Sequence, residues 1–146
     1  MPVIDTIILF SAANTEHKWH LIGKSALNCV NTWDNWWIPS FTLVEFDLVL
    51  KSRGFSNEER MEKYSLLIHD FPNILNKSYP ITPLVLHETS RLEEVYELDY
   101  FDAGIAATSL AVDGKIATND QQLKRITEIE SLWEEILNQR GRGNNN

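Results

Sequence analysis

A lone cysteine, Cys29, among 146 residues leaves the chain unable to form an internal disulfide. It falls in a stretch with helical spacing and reads as a small core residue in a reducing compartment, without catalytic weight. Long apolar runs are also missing: nothing approaches the ~20 residues that a membrane-crossing helix needs, so no membrane partner is expected. Met1-Pro2-Val3-Ile4-Asp5 offers no basic segment ahead of an apolar stretch, and Asp5 interrupts what a secretory leader would keep uncharged. Secretion is therefore not expected, and the expected location is cytoplasmic. Basic residues are few, 13 Lys and Arg against 21 Asp and Glu, for a formal charge of −8. That balance excludes a broad basic surface that neutralises many phosphates. It leaves room for a site where bound cations reverse the local sign, helped by a few basic residues such as Arg53, Lys124 and Arg125.

What is present suits one globular domain. Hydrophobic residues make up 43% of the chain, enough for a core without a staple. Val3 to Phe10 is an apolar run that could be one strand, or a short strand ending near Asp5 followed by a helical turn. Asn14 or Thr15 can cap a helix to about Cys29, with Trp19, Ile22, Ala26 and Cys29/Val30 on one face. Trp36-Trp37-Ile38 is a short strand candidate, and Pro39-Ser40 opens a helix from about Phe41 to Arg53 that Gly54 ends. Ser56 and Glu59 have capping-box spacing before a helix with Met61, Tyr64, Ile68 and Phe71 as its apolar stripe. A strand is expected at Ile81 to Leu86 and a helix from Thr89 to Glu97. Asp102 is expected to cap a helix from Ala103 to Val112, Asp113-Gly114 to turn, and Lys115 to Thr118 to form the next strand. Leu132 to Leu137 reads as a last helix. This alternation implies an α/β chain folded as a three-layer α/β/α sandwich with a parallel central sheet. The expected domain covers residues 1–138, with 139–146 a disordered tail.

In a parallel sheet, ligands gather at the carboxyl ends of the strands, and Asp5, Asp102 and Asp120 are expected there. Glu45 falls between Phe41, Val44 and Leu48 at about 100° per residue, which predicts a buried carboxylate in need of a partner. Each acid also has a structural role open to it: Asp102 and Asp120 as N-caps, Thr42 with Glu45 as a capping box, Asp5 as a turn former. Together, four acids at one sheet edge suit hard-cation chemistry, which permits phosphodiester hydrolysis.

The segments Ile4-Asp5-Thr6, Pro39-Ser40 leading to Glu45, Tyr100-Phe101-Asp102-Ala103 through Ile105-Ala106-Ala107-Thr108, and Ala117-Thr118-Asn119-Asp120 resemble the successive motifs of PIN-domain proteins, in family order and over nearly the whole chain. The resemblance implies a PIN-like fold with a five-stranded parallel sheet. It implies a Mg²⁺- or Mn²⁺-dependent endoribonuclease cutting RNA, most often the toxin of a VapBC toxin–antitoxin pair, with a cognate antitoxin as partner and a tendency to form homodimers. It assigns Asp5, Glu45, Asp102 and Asp120 to the metal site, with Thr118 as a supporting hydroxyl and Asn119 as a weaker helper. Ile7 departs from the family pattern, where many relatives place Asn or Ser, and the helical-looking Leu132 to Leu137 fits the usual last strand poorly.

Other readings were open at this level. An RNA-processing nuclease outside a toxin–antitoxin pair is the nearest. A receiver-type Mg²⁺-binding domain would want adjacent acids after the first strand, and Asp5 stands alone; a non-cutting partner-binding scaffold sits badly with four retained acids. His17 and His20, three apart, read as ordinary side chains rather than ligands, and His69 and His87 have no nucleophile beside them. Trp33, Trp36 and Trp37 could stack on bases, but packing explains them more simply. The helix at Phe41 carries a second apolar row, Leu43, Phe46 and Leu50, which suggests a helix or subunit partner.

Overall fold

A computed structural model describes residues 1–143 of the chain. β1 (Val3–Ile4) gives way at once to α1 (Thr6–Ala13), which settles the first apolar run as a strand ending before Asp5 and a helix after it. α2 (His20–Thr32), β2 (Ile38–Pro39), α3 (Ser40–Ser52), α4 (Asn57–Asp70), a 3₁₀ turn (Pro72–Asn76), β3 (Ser78–Tyr79) and α5 (Pro83–Tyr96) follow. The chain continues through α6 (Tyr100–Val112), β4 (Lys115–Ala117), α7 (Gln121–Lys124), β5 (Glu130–Ser131) and α8 (Trp133–Gly143). α8 takes in residues 139–143, expected to belong to the tail; 144–146 lie outside the described residues. β5 also supplies a strand just ahead of the last helix.

Every strand pair is parallel: β1 with β4, β4 with β5, and β2 with β3. A single parallel bridge, Val3 to Trp37, joins the two groups into the order β3-β2-β1-β4-β5. Successive strand residues point to opposite faces, and the core divides accordingly. Ile4 and Ala117 pack on one face with Ile8, Leu27, Phe46 and Trp133. Val3 and Ile116 pack on the other with Phe41, Leu92, Ile105 and Leu123. The molecule is the expected α/β/α sandwich.

Several element boundaries differ from expectation, each for a local reason. Asn14 does not cap a helix; its side chain accepts from Glu16 N at 3.0 Å and holds 14–19 as a loop, so α2 starts only at His20. No strand forms over Ile81 to Leu86, because Pro83 occupies the first helical turn, where its missing N–H costs nothing, and Thr82 caps α5 at Val85 N, 3.2 Å. The capping box at Ser56 and Glu59 forms as expected. Its stripe is rotated, however: Leu67 and Phe71 are buried while Met61 and Ile68 are exposed.

α3 also turns differently. Its buried face is Phe41, Thr42, Phe46 and Leu50, so the row Leu43, Phe46 and Leu50 packs into its own fold and offers no interface. Val44 and Leu48 are 46% and 47% exposed instead, and Glu45 is half-buried at the margin rather than sunk in an apolar stripe. Thr42 lies inside the helix and makes no capping box; its hydroxyl donates to Ile4 O at 2.9 Å and pins α3 to the end of β1.

Candidate active site

β1 and β4 are hydrogen-bonded neighbours, and Asp5 N donates to Ala117 O at 3.1 Å where they end. That pairing brings Asp5, Thr118 and Asp120 together from opposite ends of the sequence. Asp5 caps α1, accepting from Thr6 N at 2.6 Å, and its other oxygen accepts from Thr118 Oγ1 at 2.6 Å. Thr118 Oγ1 accepts in turn from Asp120 N at 3.0 Å, while Asp120 caps α7 through Gln122 N at 2.7 Å. β5 holds this strand end from behind, since Ser131 Oγ donates to Thr118 O at 2.7 Å. Asp120 thus fills the cap role expected of it, Asp5 caps a helix where a turn role was expected, and both line one cleft.

Burial pushes the Asp5 carboxyl up to about 6; the Thr118 and Thr6 hydrogen bonds oppose the rise, and the charges of Asp120 and Glu45 add to it. Asp102 is pushed to about 8, first by burial and then by the charges of Asp99, Asp120, Asp5 and Glu45. Glu45 is raised by burial and by Asp99 and Asp120. The Thr6 hydroxyl draws Glu45 down, yet it makes no hydrogen bond of ordinary geometry and stays buried without a partner. Asp102 thus feels the charges of the other three expected acids together.

Asp102 does not cap α6. Asp99 does, accepting from Asp102 N at 3.0 Å, which leaves the Asp102 carboxylate, in the first helical turn, free to approach Glu45. Carboxylate oxygens of Glu45, Asp99 and Asp102 lie within 4.8 Å of one another. Asp99 was missed in the sequence, although its place three residues before Asp102 is the spacing of a cap and its N3 residue. Gly104 makes the approach possible: a Cβ there would stand 2.6 Å from the Phe41 ring, so the bare glycine lets α6 close on α3 and bring Asp102 to Glu45.

A second wall was also missed. An open cleft of about 310 Å³ beside Asp5 and Asp120 is lined by His17, Lys18, Trp19 and Asn119. His17 is a loop residue here, while His20 opens α2 and bonds Ser11 O at 2.8 Å through Nδ1, so the two do not share a face. Of the basic residues expected near the substrate, Lys124 donates to Asn119 Oδ1 at 3.0 Å, Arg125 to Tyr96 O at 2.7 Å, and Arg53 lies over the Phe10 ring. Ile7 also lines the cleft, leaving an apolar patch at its edge.

The acids gathered here and the hydroxyls of Thr118 and Thr6 beside them offer oxygen atoms, a set suited to hard cations such as Mg²⁺ or Mn²⁺. Carboxyls raised by burial and further by one another's charge, together with an unpartnered Thr6 hydroxyl, are what such a cation would relieve. The residues fit the group.

The family model described as PIN domain matches residues 3–129. No curated protein matches the sequence. Among solved structures, VapBC2 from Rickettsia felis, bound to a DNA fragment from its promoter, aligns with TM-score 0.66 and 17% identity over 88% of this chain and 94% of that one. PAE2754 from Pyrobaculum aerophilum aligns with TM-score 0.62 and 16% identity over 96% of each chain. At these identities the likeness is one of fold.

Proposed function

The chain belongs to the PIN domain family, and from that premise we propose that it is a metal-dependent endoribonuclease, the toxin of a VapBC-type pair. PIN domains are generally nucleases, which makes phosphodiester hydrolysis the expected reaction class. The observation that carries the reading is the approach of Asp5, Glu45, Asp102 and Asp120 from four separate segments: Asp5 and Asp120 line one cleft, Glu45 and Asp102 lie together beside Asp99, and the charges of Asp5, Glu45 and Asp120 all act on Asp102. These four would hold Mg²⁺ or Mn²⁺, with Asp99 beside Glu45 and Asp102 as a further oxygen donor. When bound, the cation activates water and stabilises the leaving oxygen. The chain's own part is positional. Thr118 fixes the Asp5 carboxylate and the Asp120 backbone at once, Asp99 frees Asp102 from capping, and Thr42 sets Glu45 against the end of β1.

No helix among the described residues is long and apolar enough to cross a membrane; the proposed place of action is the cytoplasm, on RNA. The VapBC2 structure contains a toxin–antitoxin complex, and an antitoxin partner for this chain is proposed by analogy. A homodimer is proposed as well, through the face of α3 that carries Val44 and Leu48. The function is tested by incubating the purified chain with a panel of RNAs in Mg²⁺, in Mn²⁺ and in EDTA. Cleavage with either metal and none in EDTA is expected; no cleavage, or cleavage undiminished by EDTA, would defeat the reading. A small antitoxin-like reading frame immediately upstream would support the toxin assignment, and its absence would favour RNA processing instead.

A further inference from the structure

A nuclease whose cleft is walled by carboxylates must also hold a polyanion there, and with a net charge of −8 the general surface does not attract one. The loop between α1 and α2 supplies what the acids lack. His17 and Lys18 line the same cleft as Asp5 and Asp120. Lys18 is exposed, lies 5.3 Å from the centre of the Trp19 ring, and makes no ion pair with a carboxylate among the described residues. His17 Nδ1 accepts from Trp19 N at 3.1 Å, so the neutral ring carries its proton on Nε2, which is left as a donor.

The loop is organised in advance. Glu16 N donates to Asn14 Oδ1 at 3.0 Å, His17 N to Asn14 O at 3.0 Å, and His20 N to His17 O at 2.9 Å. Trp19 is anchored edge-on against Trp133 of α8, with ring centres 5.5 Å apart. Of the other basic residues named above, Arg125 donates to Tyr96 O and Arg53 lies over Phe10, neither of which lines this cleft, while Lys124 donates to Asn119 at its edge. Cationic and donor-bearing side chains thus line the same cleft, of about 310 Å³, as the carboxylates of Asp5 and Asp120.

We propose that loop 14–19 is the strand-holding wall of the site, with the Lys18 ammonium and the His17 Nε2–H binding a backbone phosphate of single-stranded RNA next to the scissile one. The inference rests on the ribonuclease reading and adds to it the residues that bind substrate without touching the cation. Their loss acts on substrate capture, whereas loss of an acid acts on the chemical step.

The test is steady-state cleavage of a labelled single-stranded RNA oligonucleotide in Mn²⁺ between 50 and 200 mM salt, paired with Mn²⁺ binding measured by electron paramagnetic resonance without RNA. Lys18→Ala is expected to raise KM several-fold with kcat within about twofold, and to flatten the slope of log(kcat/KM) against log salt by about 0.7, the contribution of one phosphate on a single strand. Lys18→Arg is expected to restore both. His17→Ala is expected to raise KM, and His17→Gln, which keeps an N–H donor at similar reach, to recover most of the loss. Mn²⁺ binding should be the same in all four variants. If the wild type cuts while Lys18→Ala and His17→Ala keep its KM and salt slope, the inference is overturned and the ribonuclease reading stands. Weakened Mn²⁺ binding in Lys18→Ala would also overturn it, by showing that the loop acts through the cation site. If the wild type cuts no RNA, the reading beneath fails and the inference with it.

Discussion

Asp5 is pulled in two directions, since burial works against its charge while Thr6 N and Thr118 Oγ1 support it, and the balance leaves its carboxyl at about 6. A carboxyl raised from 3.8 to about 6 makes the charged, metal-free fold less stable by about 3 kcal/mol. That stability is fully present below pH 3.8 and is lost as pH rises through 6; Asp102, raised to about 8, carries the loss further up. In EDTA the protein should therefore melt higher as pH falls from about 8 toward about 5, contrary to a fold held by salt-bridged carboxylates. Thermal unfolding across that range checks the sign, and a melting temperature that falls steadily with pH would contradict it. Asp5→Asn belongs to the same argument. Asparagine can still cap α1 but carries no charge, so in EDTA at pH 8 the variant should be as stable as wild type or more so, while metal-dependent cleavage drops by about a hundredfold or more. Full activity in the variant would make Asp5 a cap and nothing else.

Between α3 and α6 the decisive residue is one without a side chain. Alanine is ordinarily the better helix former by about 1 kcal/mol, yet Gly104→Ala would set a methyl 2.6 Å from the Phe41 ring and force the helices apart. A net loss of about 1–3 kcal/mol is expected from urea unfolding, with weaker Mn²⁺ binding because Asp102 rides on α6 and Glu45 on α3. A gain in stability would mean that Phe41 yields without cost. Most elements could be read from the sequence wherever a local signal was complete, as with the Ser56–Glu59 capping box, the Asp113-Gly114 turn and the acid after each central strand. Errors arose where two local signals competed. Asn14 has the chemistry of a cap and of a turn, and its side chain takes the turn, accepting from Glu16 N. Pro83 is as compatible with the first turn of a helix as with the edge of a strand. The rotation of α3 was misjudged because it is apolar on both sides, and its inward face is set by packing of Phe46 and Leu50 against α1 and α4, which periodicity cannot see. Asp5 and Asp120 were legible because strand ends in a parallel sheet are legible; Asp102, expected at such an end, instead stands in the first turn of α6, directly after α5, and Glu45 lies within α3. Asp99 and the His17–Trp19 wall were not legible, because their places depend on how a cap and a loop turn in space.

At the scale of the whole molecule, the uncovered apolar residues and the charge balance set the remaining expectations. Val44 and Leu48 stand one helical turn apart on the exposed side of α3. Sedimentation at micromolar concentration should show a dimer that Leu48→Glu dissociates; a monomeric wild type would remove that interface. Under the proposed ribonuclease activity, the acidic balance of the chain confines RNA to one cleft, and a divalent cation is expected to promote RNA capture as well as cutting. Central to everything above is the claim that the converged acids form a cation site that cuts RNA. Single-turnover cleavage of an RNA that the wild type cuts, followed across Mn²⁺ concentration for wild type and Asp102→Asn, tests this most directly. The account expects a rate that rises with Mn²⁺ and saturates in the wild type, is absent in EDTA, and is lost in the variant even though the variant stays folded. A folded Asp102→Asn protein that cuts with the wild-type rate and Mn²⁺ dependence would contradict it.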